Sequence, residues 1–478
     1  KTTGYYGSNG ITAVSGAGDV SVTAGHVATT GFGSYGIAAQ ALNHVGVSAG
    51  SVDVAGPFSS GIIAVAGSAD ITVDGAIGTH QYASNGVFAI TYGGDLTIAT
   101  KGTITSEGMR NTGISAQSRG GNIAITSNEI HMTPASAGFG VGIKARAIGG
   151  DITINAGTVT TTGDNSTGIY AVSYAKDDTD HRAGTIAVTA GAVSTTGNGR
   201  TASGIAAFNH MQGGTTAVAV TGALTTQGTY AEGVYAFSES GKALVTIASA
   251  STAGADAAAV DARGASVVIK ATGAVQTTGE QSSGLRGQAS AGGVTIDNLG
   301  TITVAGGGAN GITALGTDLI AITSNAVRAT GSGGAGIYAA GNGGISIAAI
   351  NTSSTGSSAI VAKAGGTASI SVSGQTSAGA DGIVADGAAV TIDIAKAGAV
   401  IAGGDAIVAG IPATDGSRSA GGISVVNAGL ISARGQAIHI TNGSANITNT
   451  GMIAGSITLA DGNDSLTNGG IWAITKAS

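Results

Sequence analysis

The chain has 478 residues, of which 86 are Gly, three are Pro and 9% are charged, and its formal net charge is −7. This glycine content without a Gly-X-Y triplet excludes collagen, and 42% apolar residues in periodic order exclude a disordered chain. The small negative charge without a cluster of Lys and Arg argues against nucleic acid as a partner, and the absence of Cys means that disulfides do not hold the fold.

A four-residue pattern, Gly-Ile-x-Ala, first occurs at residues 10–13 and organises the chain. Its branched aliphatic position recurs seventeen times, at Ile11, Ile37, Ile62, Val87, Ile114, Ile143, Ile169, Ile205, Val234, Val260, Leu285, Ile312, Ile337, Ile360, Ile383, Ile407 and Ile438. Most successive copies are 23 to 29 residues apart. A fixed period of this size predicts a solenoid, in which each repeat buries its apolar face against its neighbours.

Each repeat carries two further strand signals after Gly-Ile-x-Ala. One is an alternating branched pair, as in Val20 and Val22 or Ile152 and Ile154, and the other is a branched residue before a Thr-rich tail, as in Ile104. Three short strands and about 25 residues per turn predict an all-β fold, a right-handed parallel β-helix. We expect the Gly before each Ile to adopt left-handed or otherwise unusual backbone angles at a corner.

We expect one elongated repeat domain over residues 1–440, continued by C-terminal turns of a different character over 441–478. The longest interval, between Ile169 and Ile205, contains Asp177, Asp178 and Asp180 and predicts a surface loop. These carboxylates either form a solvated loop or contact a partner or a cation. A second loop is expected at 411–419.

The x position of Gly-Ile-x-Ala points outward and varies in most repeats, but it is apolar in three consecutive ones, at Val361, Val384 and Val408. Stacked, these residues predict an apolar strip, which reflects either ordinary strand propensity or a lateral contact with another chain. The same position holds aromatic residues on turns that are not adjacent, and these are weaker candidates for a glycan or protein contact: Phe88, Tyr170, Tyr235 and Tyr338.

Near its end the chain resembles the late passenger repeats of Gram-negative autotransporter and haemagglutinin-like adhesins. The resemblance is carried by Asn-x-Gly-x-Ile at Asn298, Asn427 and Asn449, and by the line Gly-Ser-Ile-x-Leu-x-Asp-Gly-Asn-Asp-x-Leu-x-Asn-x-Gly that begins at Gly455. It implies a β-helical passenger that an outer-membrane translocator exports and that is displayed on the cell surface or released.

Little in the sequence indicates chemistry. Carboxylates are few and spread over many turns, so we expect no enzyme, with a polysaccharide-processing β-helix enzyme as the least favoured alternative. No cofactor or metal is expected, because the calcium-like stretch at Asp461 to Asp464 occurs once and such repeats work in tandem. No apolar run approaches the roughly 18 residues of a transmembrane helix. A chain that begins at Lys1 without an apolar leader is expected to be a processed or excised segment.

Together with the predicted β-helix, this resemblance implies a non-enzymatic, extracellular adhesin or structural stalk that displays contacts to a host or matrix surface, a glycan or a sister cell. The alternative is a subunit of a self-assembling surface filament or surface layer, because an exposed strand edge can pair with another chain.

Overall fold

The computed structural model describes residues 3, 7–133, 138–177, 182–197, 202–410, 421–460 and 462–474. The chain forms two compact units, residues 1–253 (unit 1) and residues 254–478 (unit 2). Within the described ranges, β-strands are the only extended secondary-structure elements, and neighbouring strands pair in parallel. Together the units contain about 16 turns of a parallel β-solenoid, with a spacing of about 26 residues that fits the predicted period roughly.

The strands of unit 1 are β1 (Ile11–Ser15), β2 (Val20–Thr29), β3 (Ile37–Ala41), β4 (His44–Val54), β5 (Ile62–Ala66), β6 (Ser68–Val73), β7 (Ile77–Thr79), β8 (Asn85–Thr91), β9 (Leu96–Ser106), β10 (Asn111–Arg119), β11 (Ile123–Met132), β12 (Gly140–Ile148), β13 (Ile152–Thr161), β14 (Thr167–Tyr174), β15 (Thr185–Thr195), β16 (Ile205–His210), β17 (Thr215–Thr226), β18 (Val234–Ser238) and β19 (Lys242–Thr252).

The strands of unit 2 are β20 (Val260–Gly264), β21 (Ser266–Ala271), β22 (Val275–Thr277), β23 (Leu285–Ala289), β24 (Val294–Val304), β25 (Ile312–Gly316), β26 (Ile320–Ser332), β27 (Ile337–Gly341), β28 (Ile345–Gly356), β29 (Ile360–Ala364), β30 (Thr367–Val372), β31 (Gln375–Ala378), β32 (Ile383–Asp386), β33 (Ala389–Ile394), β34 (Ala399–Ala402), β35 (Ile407–Ala409), β36 (Ile423–Asn427), β37 (Leu430–Ile440), β38 (Ala445–Asn449), β39 (Met452–Thr458), β40 (Ser465–Asn468) and β41 (Ile471–Ala473).

The Gly-Ile-x-Ala segments stack in register within each unit, as predicted. In unit 1, for example, Ile37 lies beside Ile62 and Ala39 beside Ala64, and all four side chains are buried. The branched pairs of the second signal are buried as well, as Ile152 shows. Each column of like residues thus buries its side chains against the turns before and after it, which is how a solenoid forms a core.

The predicted three short strands per turn are only partly found. In most turns the second and third signals lie on one long strand, such as β9 or β24, and they are separate strands only in turns such as β6 and β7. The ladder continues through this corner with a register shift, for instance between Ser127 and Glu129 where β11 pairs with β9. The backbone therefore bends without losing its pairing partner, as at a β-bulge.

The Gly before each Ile does not adopt the left-handed backbone angles that were one of our expectations. Gly61, Gly86 and Gly113 are not among the residues with positive φ. Instead, a Cβ at Gly86 would lie 2.6 Å from the carbonyl oxygen of Gly113 and 2.8 Å from Cγ2 of Ile104. These glycines are required because the stacked turns approach too closely for a side chain.

The predicted boundary at residues 440 and 441 stays a prediction. Strand pairing continues past it within unit 2, where Leu430 of β37 lies beside Met452 of β39. The predicted loop at 411–419 lies outside the described residues.

Candidate functional site

Aromatic residues are concentrated in unit 1, which holds all six phenylalanines and nine of the ten tyrosines. Only 9% of all residues are charged, so the surface offers few ionic contacts. Aromatic rings are the side chains that contribute most to recognition surfaces per residue. The exposed aromatic groups of unit 1 are therefore the first place to look for a site.

Three successive turns of unit 1, at β14, β16 and β18, form an open cleft of about 220 Å³, the aromatic slot. Tyr170 of β14 lies beside Ala206 of β16, and Ala206 lies beside Tyr235 of β18. All three occupy the outward x position of Gly-Ile-x-Ala. Because Ala206 is small, it leaves a gap between the two tyrosines and forms the floor of the slot.

Phe208 closes one side of the aromatic slot. It lies two residues after Ala206, so its side chain is on the same outward face of β16. Its ring centroid is 5.7 Å from that of Tyr170 and 5.2 Å from that of Tyr235, with interplanar angles of 45° and 42°. These are favourable tilted aromatic contacts. Phe208 thus packs against both tyrosine rings.

The opposite side of the slot is polar. It is formed by Thr167, Ser203 and Glu232, each of which lies two residues before the branched residue of its repeat. The Oγ of Ser203 donates a hydrogen bond to Oε2 of Glu232 at 3.1 Å. A hydroxyl and a carboxylate therefore face aromatic rings across the cleft.

Glu232 is the charged residue among the seven that line the slot. Burial raises the pKa of the Tyr170 phenol above its ordinary value, and the Tyr174 hydroxyl adds to this, while Arg146 acts in the opposite direction. Tyr170 therefore stays neutral near pH 7. The slot thus presents a carboxyl group beside aromatic and hydroxyl groups.

A second row of rings flanks Phe208 and supports it. The imidazole of His210 stacks on Tyr174 at 5.0 Å with an interplanar angle of 7°, and its centroid is 5.5 Å from that of Phe237. The guanidinium of Arg146 lies 5.3 Å from the ring centroid of Tyr174 in a cation–π contact. The rings of this row therefore pack against one another.

Another aromatic surface, the corner stripe, lies on the turns at the start of unit 1. Phe58 stands between Phe32 and Tyr82, with ring centroids 5.3 and 5.2 Å away, and Arg110 lies 5.9 Å from the Tyr82 ring and 6.0 Å from that of Phe139. Phe58 is 47% exposed. The stripe is an exposed aromatic surface.

The sequence singled out Tyr170 and Tyr235 but not the slot that they form with Phe208. Their turns are indeed not adjacent, and it is the turn between them, with Ala206 at the same position, that opens the cleft. Phe208, Ser203 and Glu232 were missed because only the x position was compared between repeats. An alignment of the repeats that runs from two residues before Gly-Ile-x-Ala to two residues after it includes all three positions.

The predicted valine strip is present in unit 2. Val361 lies beside Val384, and Val384 beside Val408, and all three side chains are half-buried. Tyr338 continues the column on one side and His439 on the other. The lateral contact with another chain stays a prediction.

The predicted acidic loop falls partly outside the described residues, which exclude Asp178 and Asp180. Asp177 is exposed and follows the end of β14. Asp461 also lies outside the described part of the chain, whereas Oδ1 of Asp464 accepts a hydrogen bond from the backbone N–H of Ala445 at 2.8 Å. Asp464 of the calcium-like stretch therefore links two successive turns.

Among the described residues, no group of three or more His, Asp or Glu side chains has the geometry to hold a metal ion. The described ranges also contain no helix with the length and hydropathy of a membrane span. Comparison of the chain with protein-family models, with curated proteins and with solved structures finds no match in any of the three.

Proposed function

We propose that the chain is a non-enzymatic adhesive protein of the bacterial cell surface, a β-solenoid that presents aromatic contacts to an external surface. The observation that carries the proposal is the aromatic slot, where rings held by neighbouring turns face a hydroxyl and a carboxylate across an open cleft. The extracellular location and the export through a translocator rest on the resemblance of the C-terminal repeats to autotransporter passengers.

Two features of the molecule support a binding role over catalysis. The slot contains one carboxylate, whereas glycoside hydrolysis needs a pair that converges on the scissile bond. Its tyrosines and phenylalanine are residue types that dominate the binding energy of contact surfaces. Many copies on one surface would add avidity to a weak single contact.

The proposal is tested with latex beads that carry the full chain and are held on an epithelial cell monolayer under shear. We expect the wild-type beads to be retained, and the double variant Tyr170→Ala with Tyr235→Ala to lower retention about tenfold or more, because two central aromatic contacts are lost. The matched control is Tyr92→Ala, since Tyr92 is an exposed tyrosine of unit 1 that lines no part of the slot. Wild-type beads retained no better than albumin-coated beads would overturn the adhesive function.

A further inference from the structure

We propose that three cationic side chains of unit 1, Arg119, Lys144 and Arg146, bind an anionic polysaccharide through its sulfate or carboxylate groups. We call these three residues the cationic patch. The inference rests on the proposed adhesive function and names the chemical class of the partner on the external surface.

The stacking of two turns brings the three residues together. Lys144 and Arg146 lie on β12, and Arg119 lies on β10, which pairs with β12. All three residues are exposed. Two residues along a strand span about 6.6 Å and neighbouring strands are about 4.8 Å apart, so the Cα atoms of Arg119 and Arg146 are roughly 8 Å apart and the patch is roughly 14 Å long. The sequence shows no such cluster, because Arg119 belongs to the preceding repeat.

The cationic patch has no carboxylate partner in the described part of the chain. The ion pairs between described residues involve other cations, such as Lys101 with Asp74 at 2.7 Å. Three like charges on two turns repel one another, and an anion bound between them relieves that repulsion. From the x position onward, the other side chains on this face of β8, β10, β12 and β14 are neutral: Phe88, Ile90, Ser115, Gln117, Ile148, Tyr170, Val172 and Tyr174.

Two tyrosines support the guanidinium groups of the patch. The guanidinium carbon of Arg146 lies 5.3 Å from the ring centroid of Tyr174, and that of Arg119 lies 5.3 Å from the ring centroid of Tyr92. Tyr92 follows β8, so it supports Arg119 from the side away from Arg146. Both guanidinium groups lack a hydrogen-bond acceptor among the described residues. Their N–H forks are therefore available to the paired oxygens of a sulfate or a carboxylate.

The shape of the patch favours a polymer over a small ion. The patch lies on an open sheet face, where a single exposed ion pair contributes little binding energy. A polysaccharide with an anionic group on successive sugar rings contacts several cations at once, and these weak contacts add. Lys144 lies beside Tyr170, so the patch adjoins the aromatic slot and one chain can contact both surfaces. Duplex DNA has a denser charge and is bound by larger sets of cations.

The probes that test the inference are a heparin hexasaccharide, hexagalacturonate, the neutral cellohexaose and a DNA duplex of 12 base pairs. Binding to the full chain is measured by titration calorimetry at about 0.1 M salt. We expect at least one anionic oligosaccharide to bind with a Kd below about 1 mM, and cellohexaose and the duplex to bind at least about tenfold more weakly. The tighter of the two anionic oligosaccharides identifies the preferred group as sulfate or carboxylate.

The decisive variant combines Lys144→Gln with Arg146→Gln and should weaken the anionic probe by at least about tenfold. The matched control combines Lys101→Gln with Lys242→Gln, which changes the net charge equally at two exposed lysines of unit 1 outside the patch, and it should change the Kd less than about threefold. Arg146→Lys keeps the charge but loses the fork, so its loss should be intermediate. Thermal unfolding checks each variant, and Arg119→Gln replaces the double variant if that does not fold.

The inference is overturned if neither anionic oligosaccharide binds below about 1 mM, if the duplex binds more tightly than both, or if the patch variant and its control lose the same affinity. These results can be told apart from failure of the adhesive function. If the beads are retained through Tyr170 and Tyr235 but no anionic oligosaccharide binds, only the polysaccharide assignment falls. If the wild-type beads are not retained, the adhesive function falls whatever the calorimetry shows.

Discussion

At the scale of single residues, the turns are held together by polar contacts between positions one repeat apart. The clearest in unit 1 is His80, whose Nε2 lies 2.9 Å from Oδ1 of Asp53 in one neighbouring turn and whose Nδ1 lies 3.3 Å from Oε2 of Glu107 in the other. The imidazole therefore bridges three successive turns.

His80 makes the stability of this region depend on pH. Burial lowers the pKa of His80, but hydrogen bonds and charge interactions with Asp53 and Glu107 outweigh burial and raise it above its ordinary value of 6.5. A raised folded-state pKa means that the protonated imidazole stabilises the fold. This contribution is fully present below about pH 6.5 and is lost as the pH rises through the raised pKa.

We therefore expect His80→Gln to lower the unfolding midpoint more at pH 5.5 than at pH 8.5, as measured by thermal unfolding of the full chain. His26→Gln is the matched control, because the His26 imidazole contacts the hydroxyl of Ser51 and not a carboxylate. A His80→Gln effect that is equal at both pH values, or larger at pH 8.5, would contradict the assigned role of His80.

Much of the core could be predicted at this scale, because the inward positions hold the same residue types in most repeats. Ile62 and Ala64 are fully buried, as their spacing indicates. The role of Gly86 could not be predicted, since the need for a missing Cβ comes from Gly113 of the next turn and not from local backbone angles. Likewise, seven non-glycine residues of the described chain adopt φ between 52° and 60°, and the sequence marked none of them: Phe58, Ala83, Arg110, Asn165, Tyr230, Asp256 and Gln281.

At the scale of strands and turns, the Asn-x-Gly-x-Ile motif has a structural explanation. Asn427 donates from Nδ2 to Oδ1 of Asn449 at 2.8 Å, and Asn449 donates to Oδ1 of Asn468 at 2.6 Å. Asn427 and Asn449 are completely buried. The asparagines thus form a ladder inside unit 2 that satisfies polar groups at successive corners.

We expect Asn449→Leu to lower the free energy of unfolding by about 1 to 3 kcal/mol, because the buried amide of Asn427 then loses one of its two hydrogen-bond acceptors. The measurement is denaturant unfolding of the full chain. Asn446→Leu is the control, since Asn446 lies on the same strand β38 but is exposed, and its effect should stay within about 0.5 kcal/mol. Equal effects of the two substitutions would show that the ladder adds nothing to stability.

Strand boundaries were harder to predict than strand identity. The signals around Leu96 and Ile104 were read as two short strands, and the structure joins them in β9. β9 is continuous because it pairs along its length with strands of the turns before and after it. The sequence of a single repeat does not reveal this pairing.

At the scale of the whole molecule, the buried residues repeat regularly from turn to turn, whereas the surface residues do not. The inward columns are alike in both units, whereas the rings are concentrated in unit 1 and the valine strip lies in unit 2. Only part of the aromatic slot could be predicted, because Tyr170 and Tyr235 are visible as outliers in the repeat, while Phe208 and Glu232 matter only once three turns are stacked.

The central claim is that the aromatic slot is the contact surface of an adhesive β-solenoid. Side-chain oxidation by hydroxyl radicals tests this claim most directly. The full chain is oxidised free in solution and while it is bound to the epithelial surface, and each aromatic residue is quantified by mass spectrometry. The account predicts that oxidation of Tyr170, Phe208 and Tyr235 falls on binding while that of Tyr92 and Tyr338 is unchanged. Unchanged oxidation of the three slot residues in a bound chain would place the contact elsewhere and contradict the account.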